Sequence, residues 1–143
     1  MSSEAGTGGR PLHEKLGIRG GSTLALIDKP AGVLGEIPPG VTVRRRAGGH
    51  ADVVVAFFVR REDLVSRIGA LSRMIYPEGS LWVAWPKRLS GRTTTVSDDV
   101  VRDVVLPLGL VDNKVCAIDA SWSGLRVVWR LESRNRLRAG RGV

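Results

Sequence analysis

One cysteine, Cys116, stands in the whole chain of 143 residues. It can close no internal disulfide and cannot build a cysteine-rich zinc site. Such scarcity fits a reducing compartment, so a cytoplasmic location is expected. Histidine is nearly as rare. His13 and His50 are isolated, neither with a second ligand at metal spacing, so no metal site is expected. No apolar run nears the roughly 20 residues of a membrane span. Residues 1–10 are small and polar with no apolar h-region, so no secretory signal is expected. Motifs are missing too. No Gly-x-Ser-x-Gly elbow follows a strand, which argues against a serine triad. No Walker-type phosphate loop occurs, and Gly17-Ile18-Arg19-Gly20-Gly21 precedes the first strand instead of joining a strand to a helix, so it is not a dinucleotide fingerprint. Nothing repeats at a fixed period, which excludes solenoids.

Positive charge is plentiful. The net charge is +8 and the pI about 11.0, a balance that invites a nucleic-acid partner. Of the 22 basic residues 18 are Arg and 4 are Lys, a skew that coding bias alone can produce. Some of the excess lies in residues 132–143, with four Arg against one Glu. The length suits a single domain with its own core. We divide the chain into a flexible leader over 1–11, one domain over 12–131 and a basic tail over 132–143, which could add nonspecific affinity for a polyanion.

Hydrophobic patterning sets the expected elements. Leu12 to Ile18 is a helical turn ended by Gly17. Thr23–Ile27 is a first buried strand, Ala31–Glu36 a short helix and Val41–Val43 a second strand. Arg44-Arg45-Arg46 opens a basic loop. Asp52–Phe58 is continuously apolar and β-branched, as a strand buried on both faces requires. Leu64, Ile68, Leu71 and Ile75 recur at helical spacing, with Glu62 and Asp63 in the first turn and Pro77 and Gly79 as stops. Ser80–Trp85 is a strand ended by Pro86. Ser97 caps a helix whose apolar face is Val100, Val101, Val104, Val105 and Leu108. Val111–Asp119 and Leu125–Leu131 flank a five-residue hairpin connection. In the last strand Arg126 and Arg130 share the face opposite Leu125, Val127, Trp129 and Leu131, the pattern of a half-exposed strand. Alternating strands and helices imply a mostly parallel sheet, and right-handed crossovers make it doubly wound: α/β, three-layer and Rossmann-like, closed by an antiparallel hairpin.

In such sheets ligands bind beyond the carboxyl ends of the strands. The residues expected there are Asp28 and Lys29, Phe58 and Arg60, Trp85, Lys87 and Arg88, and Asp119, Ser121 and Trp122 of the hairpin. The set is more cationic than acidic, which suits an anion. The plainer alternative is that Lys87 and Arg88 solvate a strand end, with Lys87 pairing to Asp119 or Asp28. Trp82 and Trp85 fall on opposite strand faces, Trp82 toward the core and Trp85 toward either core or cleft. Asp112-Asn113-Lys114 is read as bonding turn backbone at the opposite edge, and Cys116 as packing.

Two segments, Gly79-Ser80-Leu81-Trp82-Val83-Ala84-Trp85-Pro86-Lys87 and Gly109-Leu110-Val111-Asp112-Asn113-Lys114-Val115-Cys116-Ala117-Ile118-Asp119 continuing through Trp122-Ser123-Gly124-Leu125, resemble the bacterial family called domain of unknown function 3052. That resemblance implies no activity. The closing order strand–helix–strand–helix–strand–hairpin–strand is also similar to class I S-adenosylmethionine methyltransferases, which implies a methyltransferase-like fold. Those enzymes place a glycine-rich loop after the first strand and an acid after the second. Here Asp28-Lys29-Pro30-Ala31-Gly32 and Arg44-Arg45-Arg46 stand in those places, and Phe57-Phe58-Val59-Arg60 replaces the segment that would carry catalysis. The reading expected is therefore a binding or regulatory module with no catalytic residues and no cofactor. Its basic cleft would meet an anionic small molecule or a protein partner. Two alternatives stand beside it: a divergent methyltransferase-like enzyme, and a nucleic-acid-associated protein using Arg44, Arg45, Arg46 and the tail.

Overall fold

A computed structural model describes residues 11–134. The expected leader, apart from Pro11, and the tail beyond 134 lie outside those residues. The element order is α1 (Leu12–Leu16), β1 (Thr23–Ile27), β2 (Thr42–Arg44), β3 (Val53–Phe57), α2 (Arg61–Met74), β4 (Ser80–Pro86), a 3-10 turn (Arg88–Ser90), α3 (Asp98–Val105), a second 3-10 turn (Leu106–Leu108), β5 (Leu110–Ala117) and β6 (Trp122–Trp129). One six-stranded sheet runs β2-β1-β3-β4-β6-β5. β1 pairs in parallel with β2 and β3, and β3 with β4. β6 is antiparallel to both neighbours. The mostly parallel α/β sheet and its closing hairpin match the sequence reading.

The centre of the sheet is apolar on both faces because its strands are. All five residues of β3 and all seven of β4 are buried. One face packs Ala25, Val54, Leu81, Leu125 and Val127 against Leu64, Ile68 and Leu71 of α2 and Val101 and Val105 of α3. The other packs Leu24, Leu26, Val55 and Trp82 against Leu16, Ile18 and Val33. Trp82 Nε1–H donates to the Leu16 carbonyl at 3.1 Å, which ties α1 to the sheet. The two long helices thus share one face. Among the described residues the opposite face has only the five-residue α1 and irregular chain.

The expected helix over Ala31–Glu36 does not form. Gly32, Leu34 and Gly35 all have positive φ (79, 78 and 59°), and two glycines in six residues already weigh against a helix. β2 begins one residue later than expected, after Gly40 turns at φ 84°. β6 also starts earlier, at Trp122, so the hairpin connection shortens to residues 118–121 and Leu131 falls beyond the strand, exposed. Leu108 is exposed as well, outside the α3 face it was assigned to.

Asp112-Asn113-Lys114 lies within β5, with an irregularity in pairing between Asp112 and Lys114. The Asp112 carboxylate turns to a side chain instead of turn backbone. It accepts from Arg102 Nε at 2.9 Å, and that hydrogen bond holds the Arg102 guanidinium above its ordinary range. Asn113 Oδ1 accepts from Arg126 at 3.1 Å. Arg126 lies on the face without a long helix, where burial pushes its guanidinium down. β6 is nevertheless interior. Its alternation reflects the thin covering of that face, not an edge position.

Candidate cleft at the carboxyl edge of the sheet

Three loops meet at the carboxyl edge of the sheet, after β1, β4 and β5. The first, from Asp28 to Val41, has carbonyl groups that no helix or strand satisfies, and buried carbonyls need partners. Lys29 supplies two of them: Nζ donates to the Pro30 and Val33 carbonyls, each at 3.0 Å. Val33 is buried beneath the loop. Asp28 takes φ 58°, a left-handed conformation that Asp tolerates better than most residues. Its Oδ2 accepts from Arg67 Nη1 of α2 at 2.7 Å.

The loop after β4 begins where the Lys87 N–H donates to the Ser121 carbonyl at 2.8 Å. It turns through Arg88–Ser90 and reverses at Gly91, φ 78°. Its return is fastened to the end of β3. Thr94 Oγ1 and the Thr95 N–H both donate to the Val59 carbonyl, at 2.6 and 3.1 Å, and Thr95 Oγ1 accepts from the Arg61 N–H at 2.7 Å. Ser97 then caps α3 by accepting from the Val100 N–H at 3.3 Å. Arg92 is held between these fastenings. Its guanidinium lies 5.7 Å from the centroid of the Trp122 ring. Phe57 braces the same indole edge-to-face at 5.2 Å. The β5–β6 connection is shaped by Asp119, whose Oδ1 accepts from the Ser121 and Trp122 N–H groups at 2.7 and 2.9 Å.

Around these loops the surface forms clefts. One of about 360 Å³ is walled by Pro30, Val33, Pro86, Arg92, Asp119 and Trp122. A second, about 420 Å³, is walled by Asp28, Phe57, Asp63, Arg67, Arg92 and Trp122. A third, about 510 Å³, has Trp85, Arg88, Arg92 and the Thr93–Thr95 run on its wall and no carboxylate. A fourth lies elsewhere, near Leu106 and Trp129.

Of the residues expected at the site, Asp119 and Trp122 share the first cleft, and Asp28 and Trp122 the second. Trp85 and Arg88 meet in the third, although Trp85 is only 8% exposed and belongs to the helix-side core. Lys29, Arg60 and Lys87 line none of these four clefts. Lys29 is occupied by carbonyls, and Arg60 reaches Glu62 at 3.7 Å. Lys87 makes no ion pair with Asp119 or Asp28 among the described residues. Arg44 is also committed, with its guanidinium donating to the Gly48 and His50 carbonyls. Arg45 and Arg46 are exposed.

Sequence reasoning stopped at Arg88 and missed Arg92, which lines three of the four clefts. The available signal was that residues 87–97 hold Lys87, Arg88 and Arg92 and no acid. Asp63, expected only as a first-turn carboxylate of α2, and Arg67, which the sequence reading does not single out, also line the second cleft. Among the described residues there is no cluster of three His, Cys, Asp or Glu fit for a metal, and no helix long and apolar enough to cross a membrane.

No family model and no curated protein matches the chain, so the resemblance to domain of unknown function 3052 is not confirmed. Solved structures do resemble it. A SAM-dependent methyltransferase from Aquifex aeolicus matches with a TM-score of 0.61 and 12% identity, over 80% of this chain and 85% of its own. A magnesium protoporphyrin IX methyltransferase from Synechocystis, with bound SAM, gives 0.56 and 12% over 83% and 74%. A tRNA methyltransferase from B. subtilis gives 0.54 and 12% over 89% and 68%. At that identity the likeness establishes a methyltransferase-like Rossmann fold and no chemistry.

Proposed function

We propose that this chain is a binding module on a methyltransferase-like fold, taking an anionic ligand at the carboxyl edge through Arg92. The observation that carries the reading is Arg92 itself. It is exposed, lines three clefts and makes no ion pair among the described residues; its guanidinium lies against the Trp122 ring. An arginine without a carboxylate partner, beside Arg88 and threonine hydroxyls, suits bidentate recognition of phosphate or carboxylate. Asp28, Asp119, Trp122 and Trp85 contribute wall, and Arg88 extends the cationic side. Lys29, Arg60 and Lys87, expected from sequence as ligand contacts, act in this reading through loop shape and local charge.

Two features argue against the usual methyltransferase cofactor. The loop after β1 carries Pro30 where glycine is called for and closes on itself through Lys29. At the end of β2 a cation, Arg44, stands where an acid is called for. A divergent methyltransferase-like enzyme is the second reading, favoured by the strand order with β6 inserted antiparallel between β4 and β5. Thermal denaturation separates them. Inorganic pyrophosphate should stabilise the protein, by about 2.7 kcal/mol at a hundredfold excess over Kd, and Arg92→Ala should abolish the effect. Stabilisation by S-adenosylmethionine, with none by pyrophosphate, would replace the first reading by the second.

A further inference from the structure

Two of the clefts share Pro30, Arg92 and Trp122 as wall, and Arg92 lies against the Trp122 ring. A single exposed side chain therefore contributes to the division between them. Both clefts fall in the size range of small-molecule sites; Pro30 and Trp122 give both an apolar, aromatic wall, to which Phe57 adds in the second. Trp122 is buried beneath Arg92, which is itself exposed; a cation–π contact from such a side chain is weak beside the hydrogen bonds a guanidinium makes to a phosphate, and surface rotamers exchange within nanoseconds. Resting on the anion-binding reading above, we infer that Arg92 is a removable partition. A planar aromatic anion of mononucleotide size displaces it, stacks on Trp122 and takes the guanidinium on its phosphate, joining the two clefts into one site.

Each wall balances its carboxylates with guanidinium groups, but the polar atoms they offer differ. The second cleft carries Asp63, and Asp28 paired to Arg67, where amino or hydroxyl groups of a ring and sugar find acceptors. In the first, the Asp119 oxygen Oδ1 is already taken by two backbone N–H groups, and Ser90 and Ser121 line the wall. A flat ring with an anionic arm uses both. A bare phosphate uses only Arg92, and a neutral ring would meet the guanidinium with nothing to offer it.

The test is calorimetric titration of the full chain with AMP, adenosine, ribose 5-phosphate and inorganic pyrophosphate. AMP should bind at least about tenfold tighter than adenosine or ribose 5-phosphate. Arg92→Ala, an exposed position whose loss leaves the core intact, should erase the preference for AMP over adenosine. It should leave adenosine binding unchanged or tighter, because Trp122 is uncovered. Trp122→Phe, with retained fold checked by near-UV circular dichroism, should weaken AMP more than pyrophosphate. The inference is overturned if AMP binds no tighter than ribose 5-phosphate, or if Arg92→Ala binds AMP like the parent. Should pyrophosphate and ribose 5-phosphate match AMP, the partition fails while the anion-binding reading stands; should none of the four bind, both fail.

Discussion

Replacing Lys29 by Met removes the two hydrogen bonds that close the loop between β1 and β2 and keeps an apolar stem of similar length. Both bonds are 3.0 Å and come from a charged donor, and the residue is half-buried. A hydrogen bond to a charged group contributes about 1.5–3 kcal/mol when well buried. Partial exposure reduces that, and water replaces some of what the carbonyls lose, so the pair together should amount to about 1–3 kcal/mol. For a domain of this size that is a drop in Tm of about 3–10 °C. Urea denaturation should show a lower midpoint with unchanged slope. Hydrogen exchange should show the Val33 amide, bonded to the Pro30 carbonyl, exchanging faster, with β3 amides unaffected. A midpoint within error of the parent and unaltered exchange at Val33 would refute the reasoning, because the loop would then be held by something other than Lys29.

Gly79 admits no side chain. A Cβ there would lie 2.9–3.0 Å from the backbone oxygens of Asp52, Ala51 and Ile75. Gly79→Ala should therefore cost about 1–3 kcal/mol in denaturant unfolding, and a neutral result would mean the β3–α2–β4 unit is looser than its hydrogen bonds imply. At Asp28 the left-handed backbone and the exposed Arg67 pair oppose one another. Asp28→Gly should be within about 0.5 kcal/mol of the parent, and Asp28→Ala less stable than Asp28→Gly by about 1 kcal/mol; equal stabilities would contradict the φ of 58°. Ser97→Ala should lose about 1 kcal/mol with the α3 cap, measured by the same unfolding, and Ser97→Asp should retain it.

How much was legible depended on where the determining contacts lie. β1 could be read to the residue, and the interior of β3 and the apolar face of α2 could be read because each carries its own period: Leu64, Ile68, Leu71 and Ile75 are all buried. The segment over Ala31–Glu36 is too short to show a helical period, and Gly32 and Gly35 take positive φ there instead. Three residues of β2 are too few to show an alternation, so its bounds slipped by one. Trp82 and Trp85 did fall on opposite faces, as period two requires. The edge gathered Asp28, Asp119 and Trp122 from distant regions of the chain as the topology suggests. Charge alone could not say which cations face the clefts. Lys29 is consumed by its own loop, whereas Arg92 is positioned by Thr94 and Thr95 bonding to Val59, about 35 residues away, and no local pattern encodes such a bond.

Amide chemical-shift mapping during a pyrophosphate titration of the full chain tests the anion-binding edge most directly. The account predicts saturable shifts confined to residues 88–95, 119–122 and 30–33, lost in Arg92→Ala. Shifts centred on Arg45 and Arg46, or shifts at the edge that persist without Arg92, would contradict it.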